Sequence, residues 1–307
     1  MTSPQPRLYA FSWDRLDDFA ALVNAVQGLK GTPAAADPAF MAERLRVPGM
    51  DAESDCLLAS LDGALIGYTL LNWELPIGSV VLEGGVLPER RRKGVGSELF
   101  AWAKENGRSR GAGVARAPSP ETDAELAGFL QGQGFSEVRL HDIMRWATGL
   151  LPEPDLPPGI VSRLFRAGDE AQLAEAQNAA FKEQWGFSPN TVEQIAYAVG
   201  MSRTTPEGVA LLLDGGDVAA YCLTQTVGQA PELAGSVFML GAHPRYQGLG
   251  LGRAALLAGM RLLLDRGVKT IELTVDAEND AAKQLYDSVG YQRVNGRRWF
   301  EANLTEG

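Results

Sequence analysis

The sequence predicts a mixed α/β protein built from two copies of one domain, and three observations carry that prediction. Pro88, Gly94, Gly96 and Gly134 recur as Pro244, Gly250, Gly252 and Gly290, each pair 156 residues apart (244 − 88, for one), and Arg7-Leu8 recurs as Arg163-Leu164 at the same interval. A repeat this long is a duplicated domain, since solenoid units recur at roughly 20–50 residues. Strand-forming segments alternate with helical ones in both halves, the pattern of a mixed α/β class. Between the halves, the stretch from Gly149 to Gly159 carries four prolines and can neither continue a helix nor occupy a central strand. The expected domains are 1–147 and 160–307, joined by a semi-extended linker over 148–159.

In the first half, Leu57 to Leu71 reads as a hairpin around Asp62-Gly63. The glycine-bearing turn 87–96 and a helix follow. The segment Ala115-Arg-Ala-Pro-Ser119 stands where the next strand belongs, but its proline predicts poor pairing. In the second half, Gly208 to Thr224 reads as two strands joined by an Asp-Gly turn, and Ser236 to His243 as a third strand. Leu256, Leu257, Met260, Leu263 and Leu264 lie at helical spacing, with Gly267 suited to the stop. Ile271, Leu273 and Val275 alternate with polar residues as a half-buried strand. A helix over about 279–288 ending near Gly290, and a last strand over about 291–302, complete the copy.

Bulk properties bound the function. A chain of 307 residues suggests about two domains, and no apolar run reaches the roughly 18 residues of a membrane span. The first residues lack the basic and apolar regions of a secretory signal. Cys56 and Cys222 lie in no metal or redox spacing and read as buried thiols of a reducing compartment. A soluble cytoplasmic protein is expected, with no metal, and a monomer by default. The net charge of −10 disfavours nucleic acid and anionic membranes as partners. Arg90 to Lys93 are a local exception, and their place beside glycines points to an anion site.

A strand, a compact glycine turn and a helix direct backbone N–H groups and a helix N-terminus at one point, which suits a phosphate or pyrophosphate. A P-loop would need Lys-Ser or Lys-Thr in frame, and neither turn has it. A Rossmann fingerprint would need a glycine where Arg253 stands. Both turns do fit Arg/Gln-x-x-Gly-x-Gly: Arg91-Arg92-Lys93-Gly94-Val95-Gly96 and Gln247-Gly248-Leu249-Gly250-Leu251-Gly252.

In this context, present twice in register, the pattern resembles the GNAT N-acetyltransferase superfamily over nearly the whole chain. The resemblance implies two tandem GNAT-type domains, each a mixed, largely antiparallel central sheet flanked by helices, with acetyl-CoA as cosubstrate. In that family the loop amides hold the pyrophosphate and the preceding strand hydrogen-bonds the pantetheine arm. Carried over, Leu240, Gly241 and Ala242 would line the pantetheine side, Gln247 to Gly252 would wrap the pyrophosphate, and Arg253 would open the helix. Val86 and the loop from Arg91 to Gly96 are the first-half counterparts.

Amine acetylation needs a deprotonated amine, a polarised carbonyl and a stabilised leaving thiolate. Asn279 and Tyr286 match the family segment Asn-x-x-Ala-x-x-x-Tyr, which implies a pantetheine contact for Asn279 and a thiolate acid in Tyr286; core packing is the alternative for the tyrosine. The first half has Asp123 and Leu130 at those places, and leucine donates no proton, so catalysis is expected in the second half. Such a fusion resembles the mycothiol synthases, where a glutamate on the strand before the loop is the base. That position is Ser236 here. A base could act through water from Glu232, Glu272 or Asp276, or the amine could lose its proton to solvent. Glu83 lies three residues before Val86, which strand alternation puts on the other face.

Trp185 and Phe187, between two helices, are candidates for an acceptor-pocket wall, with plain packing as the competing reading. His141 and His243 are poor catalytic candidates. The expected activity is direct transfer of acetyl from acetyl-CoA to the primary amine of a small molecule, in a ternary complex without a covalent intermediate. A non-catalytic acyl-CoA-binding or regulatory module is the alternative, and a protein or peptide amine a further one.

Overall fold

A computed structural model describes residues 5–28, 35–147, 149–228 and 233–305. The expected signal-free start and Glu232 lie outside those residues. In chain order the first half gives β1 (Arg7–Ala10), α1 (Leu16–Val26), α2 (Pro38–Arg44), α3 (Ala52–Asp55), β2 (Cys56–Leu61), β3 (Ala64–Glu74), β4 (Ser79–Val86), α4 (Val95–Ser109), β5 (Val114–Pro120), α5 (Ala124–Gly132) and β6 (Ser136–Trp146). The second gives β7 (Ile160–Leu164), α6 (Glu170–Phe181), α7 (Val192–Gly200), β8 (Val209–Asp214), β9 (Asp217–Val227), β10 (Ala234–Ala242), α8 (Leu251–Asp265), β11 (Ile271–Asp276), α9 (Asp280–Val289) and β12 (Gln292–Asn303).

Two compact units result, and they do not follow the contiguous division at the linker. One comprises 1–140 with 296–307, the other 141–295. The reason is strand placement. β12 pairs antiparallel with β5 from Arg297 to Asn303, completing the first unit's sheet, while β6 pairs with β11 from His141 to Trp146 in the second. The strand orders are β1-β2-β3-β4-β5-β12 and β6-β11-β10-β9-β8-β7, each antiparallel except at one parallel step, β4–β5 and β10–β11. The Pro-rich stretch 149–159 has no helix or strand, and Arg261 of α8 holds it: Nη2 donates to the Pro152 carbonyl at 2.9 Å and the guanidinium pairs with Glu153 at 2.8 Å. Among the described residues, no helix is long and apolar enough to cross a membrane.

The hairpin expected at 57–71 turns at Asp62-Gly63 with φ of 52° and 83°, the left-handed pair that a tight hairpin requires. The poor pairing expected for the proline segment is corrected by the structure. β5 is a full strand, paired along its whole length with β12. Its prolines at 118 and 120 lie beyond Arg116, the last residue to pair with β4, so on that side no ladder remains for a missing N–H to interrupt.

Both faces of each sheet are covered. In the first unit Phe19, Met41 and Tyr68 pack under α1 and α2, and Leu71, Leu82, Ala103, Leu130 and Phe300 under α4 and α5. In the second, Leu173, Ile195, Leu211 and Tyr221 form the core under α6 and α7. Leu212, Cys222, Leu256, Met260, Leu273 and Tyr286 form that under α8 and α9. A Cβ on Gly259 would lie 2.2 Å from Cys222 Sγ, so α8 sits against β9 only because that residue is glycine. Both cysteines are free and buried, and burial pushes the Cys222 thiol up to about 12.

Candidate active site

Each unit opens a notch at its parallel step. β10 and β11 pair only from Gly235 to Val237, opposite Ile271 to Leu273, and β10 then steps through a bulge at Phe238. Leu240, Gly241 and Ala242 remain paired with Cys222, Tyr221 and Ala220 of β9 but have passed the last rung with β11. One edge of this segment is therefore left to a ligand, the geometry suited to an extended amide-bearing arm. β4 and β5 repeat the arrangement: they pair from Ser79 to Val81 only, and β4 runs on to Val86.

Beyond each notch lies the glycine turn. Gly248 and Gly250 have φ of 79° and 73°, and Gly250 directly precedes α8. That left-handed backbone turns the chain so that the free N–H groups at the start of α8 face outward, and Gln247 to Gly250 are exposed. Leu251 is buried, and Gly252 and Arg253 lie in the first turn of α8. In the first unit Gly94 has φ 86°, but the place of Gly248 is taken by Arg92, a non-glycine residue at φ 61°. Arg91 and Arg92 are both held by Glu125 of α5, at 2.9 and 3.2 Å, and hydrogen bonding from Arg91 lowers the Glu125 carboxyl. Lys93 is exposed, Val95 is buried as the first residue of α4, and Gly96 follows it.

Asn279 spends its amide oxygen as the N-cap of α9, accepting the Ala282 N–H at 3.1 Å; Asp123 does the same for α5 with Leu126 at 2.9 Å. Tyr286, two turns into α9, is buried in the core that also holds Leu240 and Ala242 at its edge. Burial raises its hydroxyl above the ordinary tyrosine range, so it stays protonated and has a proton to give. Ser236 stands opposite Gln225 of β9 and Glu272 of β11. Of the carboxylates weighed as bases, Glu272 is bound by Arg145 at 2.6 Å and Asp276 accepts the Glu278 N–H at 3.0 Å.

Trp185 and Phe187 are half-buried on the segment between α6 and α7. The first lies edge-to-face with His141 at 6.0 Å and the second against Phe181 at 5.4 Å. His243 is buried, its Nδ1 accepting the Arg245 N–H and its Nε2 3.3 Å from Glu175.

The first unit holds a cavity of about 770 Å³ at its notch, bounded by Val86, Gly94, Gly96, Ser119 and Leu130 among others. Its polar floor combines Glu83 with residues that no sequence spacing links to it. Glu83 faces this cavity and pairs with Arg44 of α2 at 2.9 Å; the Tyr68 hydroxyl stands beside them and meets Gln27 at 3.5 Å. Glu83 raises the Arg44 guanidinium further, and burial, then Glu83, raises the Tyr68 hydroxyl. No local signal joins Arg44 to Glu83, which are 39 residues apart.

Comparison with known proteins agrees with this geometry. The Acetyltransferase (GNAT) family model matches twice, over residues 28–135 and 171–291. The chain is 32% identical over 292 residues to a mycothiol acetyltransferase of Geodermatophilus obscurus, covering 91% of this chain and 93% of that one. A second mycothiol acetyltransferase, from Actinosynnema mirum, is 32% identical over 254 residues, 81% of this chain and 84% of the other. In fold, the chain is similar to a tandem GNAT protein of the clavulanic acid biosynthesis pathway (TM-score 0.76, 17% identity, 98% of this chain and 99% of that one). It is also similar to a GCN5-related N-acetyltransferase of Sphaerobacter thermophilus (TM-score 0.74, 24% identity, 99% and 97%). Two notches, two glycine turns and two family matches lead to one conclusion: the chain belongs to the GNAT acetyltransferase family.

Proposed function

We propose that this enzyme transfers acetyl from acetyl-CoA to the primary amine of a small molecule, by direct attack in a ternary complex, with the chemistry in the second unit. The observation that carries the reading is Tyr286, whose buried side chain belongs to the core against which Leu240 and Ala242 of the notch strand pack. The edge of Leu240 to Ala242 would hold the pantetheine arm, and Gln247 to Arg253 the pyrophosphate. Tyr286 would protonate the leaving thiolate. With Glu272 and Asp276 already engaged, the amine would shed its proton to solvent before attack.

The relatives' name supports an acceptor related to the amine precursor of mycothiol. Ser236, where the mycothiol synthases are expected to carry a glutamate, favours a different small amine. Trp185 and Phe187 are proposed for its pocket wall. The first-unit cavity favours one addition: that unit would bind acyl-CoA along Val86 and its loop Arg91–Gly96 without performing transfer, because Leu130 stands where Tyr286 stands in the second.

Calorimetric titration with acetyl-CoA tests the assignment on wild type and on the Gly94→Trp/Gly96→Trp and Gly250→Trp/Gly252→Trp variants, each first checked for folding. Turnover should survive the first pair of substitutions and vanish with the second, screened over primary amines. The reverse pattern would place the chemistry in the first unit.

A further inference from the structure

The duplication contains a further pair of matched residues, at a different interval from the glycines. β3 and β9 begin at Ala64 and Asp217, 153 residues apart (217 − 64), and at that interval Tyr68 corresponds to Tyr221. Each tyrosine stands directly across from a glycine of the neighbouring strand: Tyr68 opposite Gly85, Tyr221 opposite Gly241. Both glycines lie at the notch end of that strand. In the first unit the pair borders the large cavity, where the Tyr68 hydroxyl has Gln27, Arg44 and Glu83 for company. In the second, the Tyr221 side chain is fully buried, and its hydroxyl has no hydrogen-bond partner among the described residues.

A buried hydroxyl left unpaired is a cost to the fold that native proteins seldom keep without a use. Its direction is defined by Gly241. A Cβ there would lie 2.6 Å from the Tyr221 hydroxyl oxygen and 2.8 Å from ring carbons Cε1 and Cζ, so the hydroxyl lies over that residue on the α6–α7 face. Tyr286 belongs to the core on the opposite face, and its proximity adds to the shift that burial imposes on Tyr221. The two phenols thus address one segment, Leu240 to Ala242, from its two sides.

We propose that the Tyr221 hydroxyl donates a hydrogen bond to the acyl carbonyl oxygen of acetyl-CoA bound in the second unit. The inference rests on the functional reading above. As the amine nitrogen forms its bond to the carbonyl carbon, the C=O π pair moves to oxygen; it re-forms the carbonyl as the C–S bond breaks, the thiolate takes its proton from Tyr286, and the proton released by the acylated nitrogen returns through solvent to restore the Tyr286 hydroxyl. A fixed neutral donor at the oxygen opposes the charge that gathers there and is no base for the amine. Tyr221 on one side and Tyr286 on the other then serve the oxygen and the sulfur respectively.

The test is Tyr221→Phe, which keeps the ring and removes only the unpaired group. Affinities for acetyl-CoA and for CoA are compared by calorimetry in the Gly94→Trp/Gly96→Trp background, where only the second unit responds. The variant should bind acetyl-CoA roughly 3- to 10-fold more weakly, bind CoA as before and melt no lower than its parent. With the carbonyl carbon labelled, the infrared band of bound acetyl-CoA should lie below its position in a non-hydrogen-bonding solvent, and should rise in the variant. Equal acetyl-CoA affinity and an unmoved band would overturn the proposal and leave Tyr221 as packing. Should the variant not fold, the parent's band decides alone, and a band at the non-bonded position overturns it. If the parent binds neither ligand, the functional reading itself has failed.

Discussion

Tyr286 and Leu130 occupy equivalent places in the two units, and the difference between them is a single proton donor. Tyr286→Phe should lower kcat about 10²-fold while acetyl-CoA affinity, read by calorimetry, stays at the wild-type value. Because burial raises this hydroxyl, it stays protonated as the solution becomes alkaline. The rate should therefore not fall between about pH 7 and about pH 9 through loss of the acid, and the variant's deficit should be the same factor across that range. Gly250 carries a different burden, since its φ of 73° is strained for any residue with a Cβ. Gly250→Ala should cost about 1 kcal/mol in a thermal melt and weaken acetyl-CoA binding. These positions were legible in the sequence because motif spacing and residue type suffice to find them. Tyr68 and Tyr221 were not, because their interval is 153 rather than 156 and a comparison in the glycine register pairs them with other residues. Arg44 and Glu83 stayed hidden for another reason: only the packing of α2 over β4 brings them together.

At the level of elements, β7 of the second unit is tied to α6 by one carboxylate. Asp169, at the start of α6, accepts from the Arg163 guanidinium of β7 at 2.5 and 2.8 Å and from the Arg166 N–H at 2.7 Å. These bonds, Arg163 foremost, hold its carboxyl below the usual range. The folded form therefore binds this proton less readily than the unfolded chain. The resulting stability is present above the unfolded pKa of about 3.9 and is lost as pH falls through the folded value. Asp169→Asn should lower stability by about 1.5–3 kcal/mol near neutral pH, and the gap from wild type should close in acid melts. α7 begins with a reciprocal capping box between Thr191 and Gln194, and Thr191→Ala should cost about 1 kcal/mol. Helix and strand positions followed from periodicity and glycine stops: Gly267 and Gly290, at φ 84° and 99°, stand where two helices were expected to end. β5 was obscured because local propensity weighs its prolines and cannot see that β12, nearly 180 residues later, would pair with it.

For the whole molecule, the placement of β6 and β12 decides which pieces of chain can stand by themselves. A fragment starting at 160 omits β6 and leaves the β11 edge bare, whereas one spanning 141–295 keeps every strand of its unit. The longer fragment should give the sharper and higher thermal transition, and the shorter should aggregate through its open edge. Removal of residues 296–307 should lower the melting of the first unit by uncovering β5. The duplication itself was evident in the sequence, since the paired glycines need only be counted. The exchange of strands was not, because nothing in β6 or β12 taken alone records which sheet each completes. That exchange also fixes an order in time. During synthesis the first unit emerges from the ribosome without its closing strand and waits through some 155 further residues, roughly 8–30 s at bacterial and eukaryotic elongation rates. The second unit, continuous in the chain, has all its strands before the first does. The half made first is thus the half finished last, and its unpaired β5 edge is what a chaperone would have to shield in the interval.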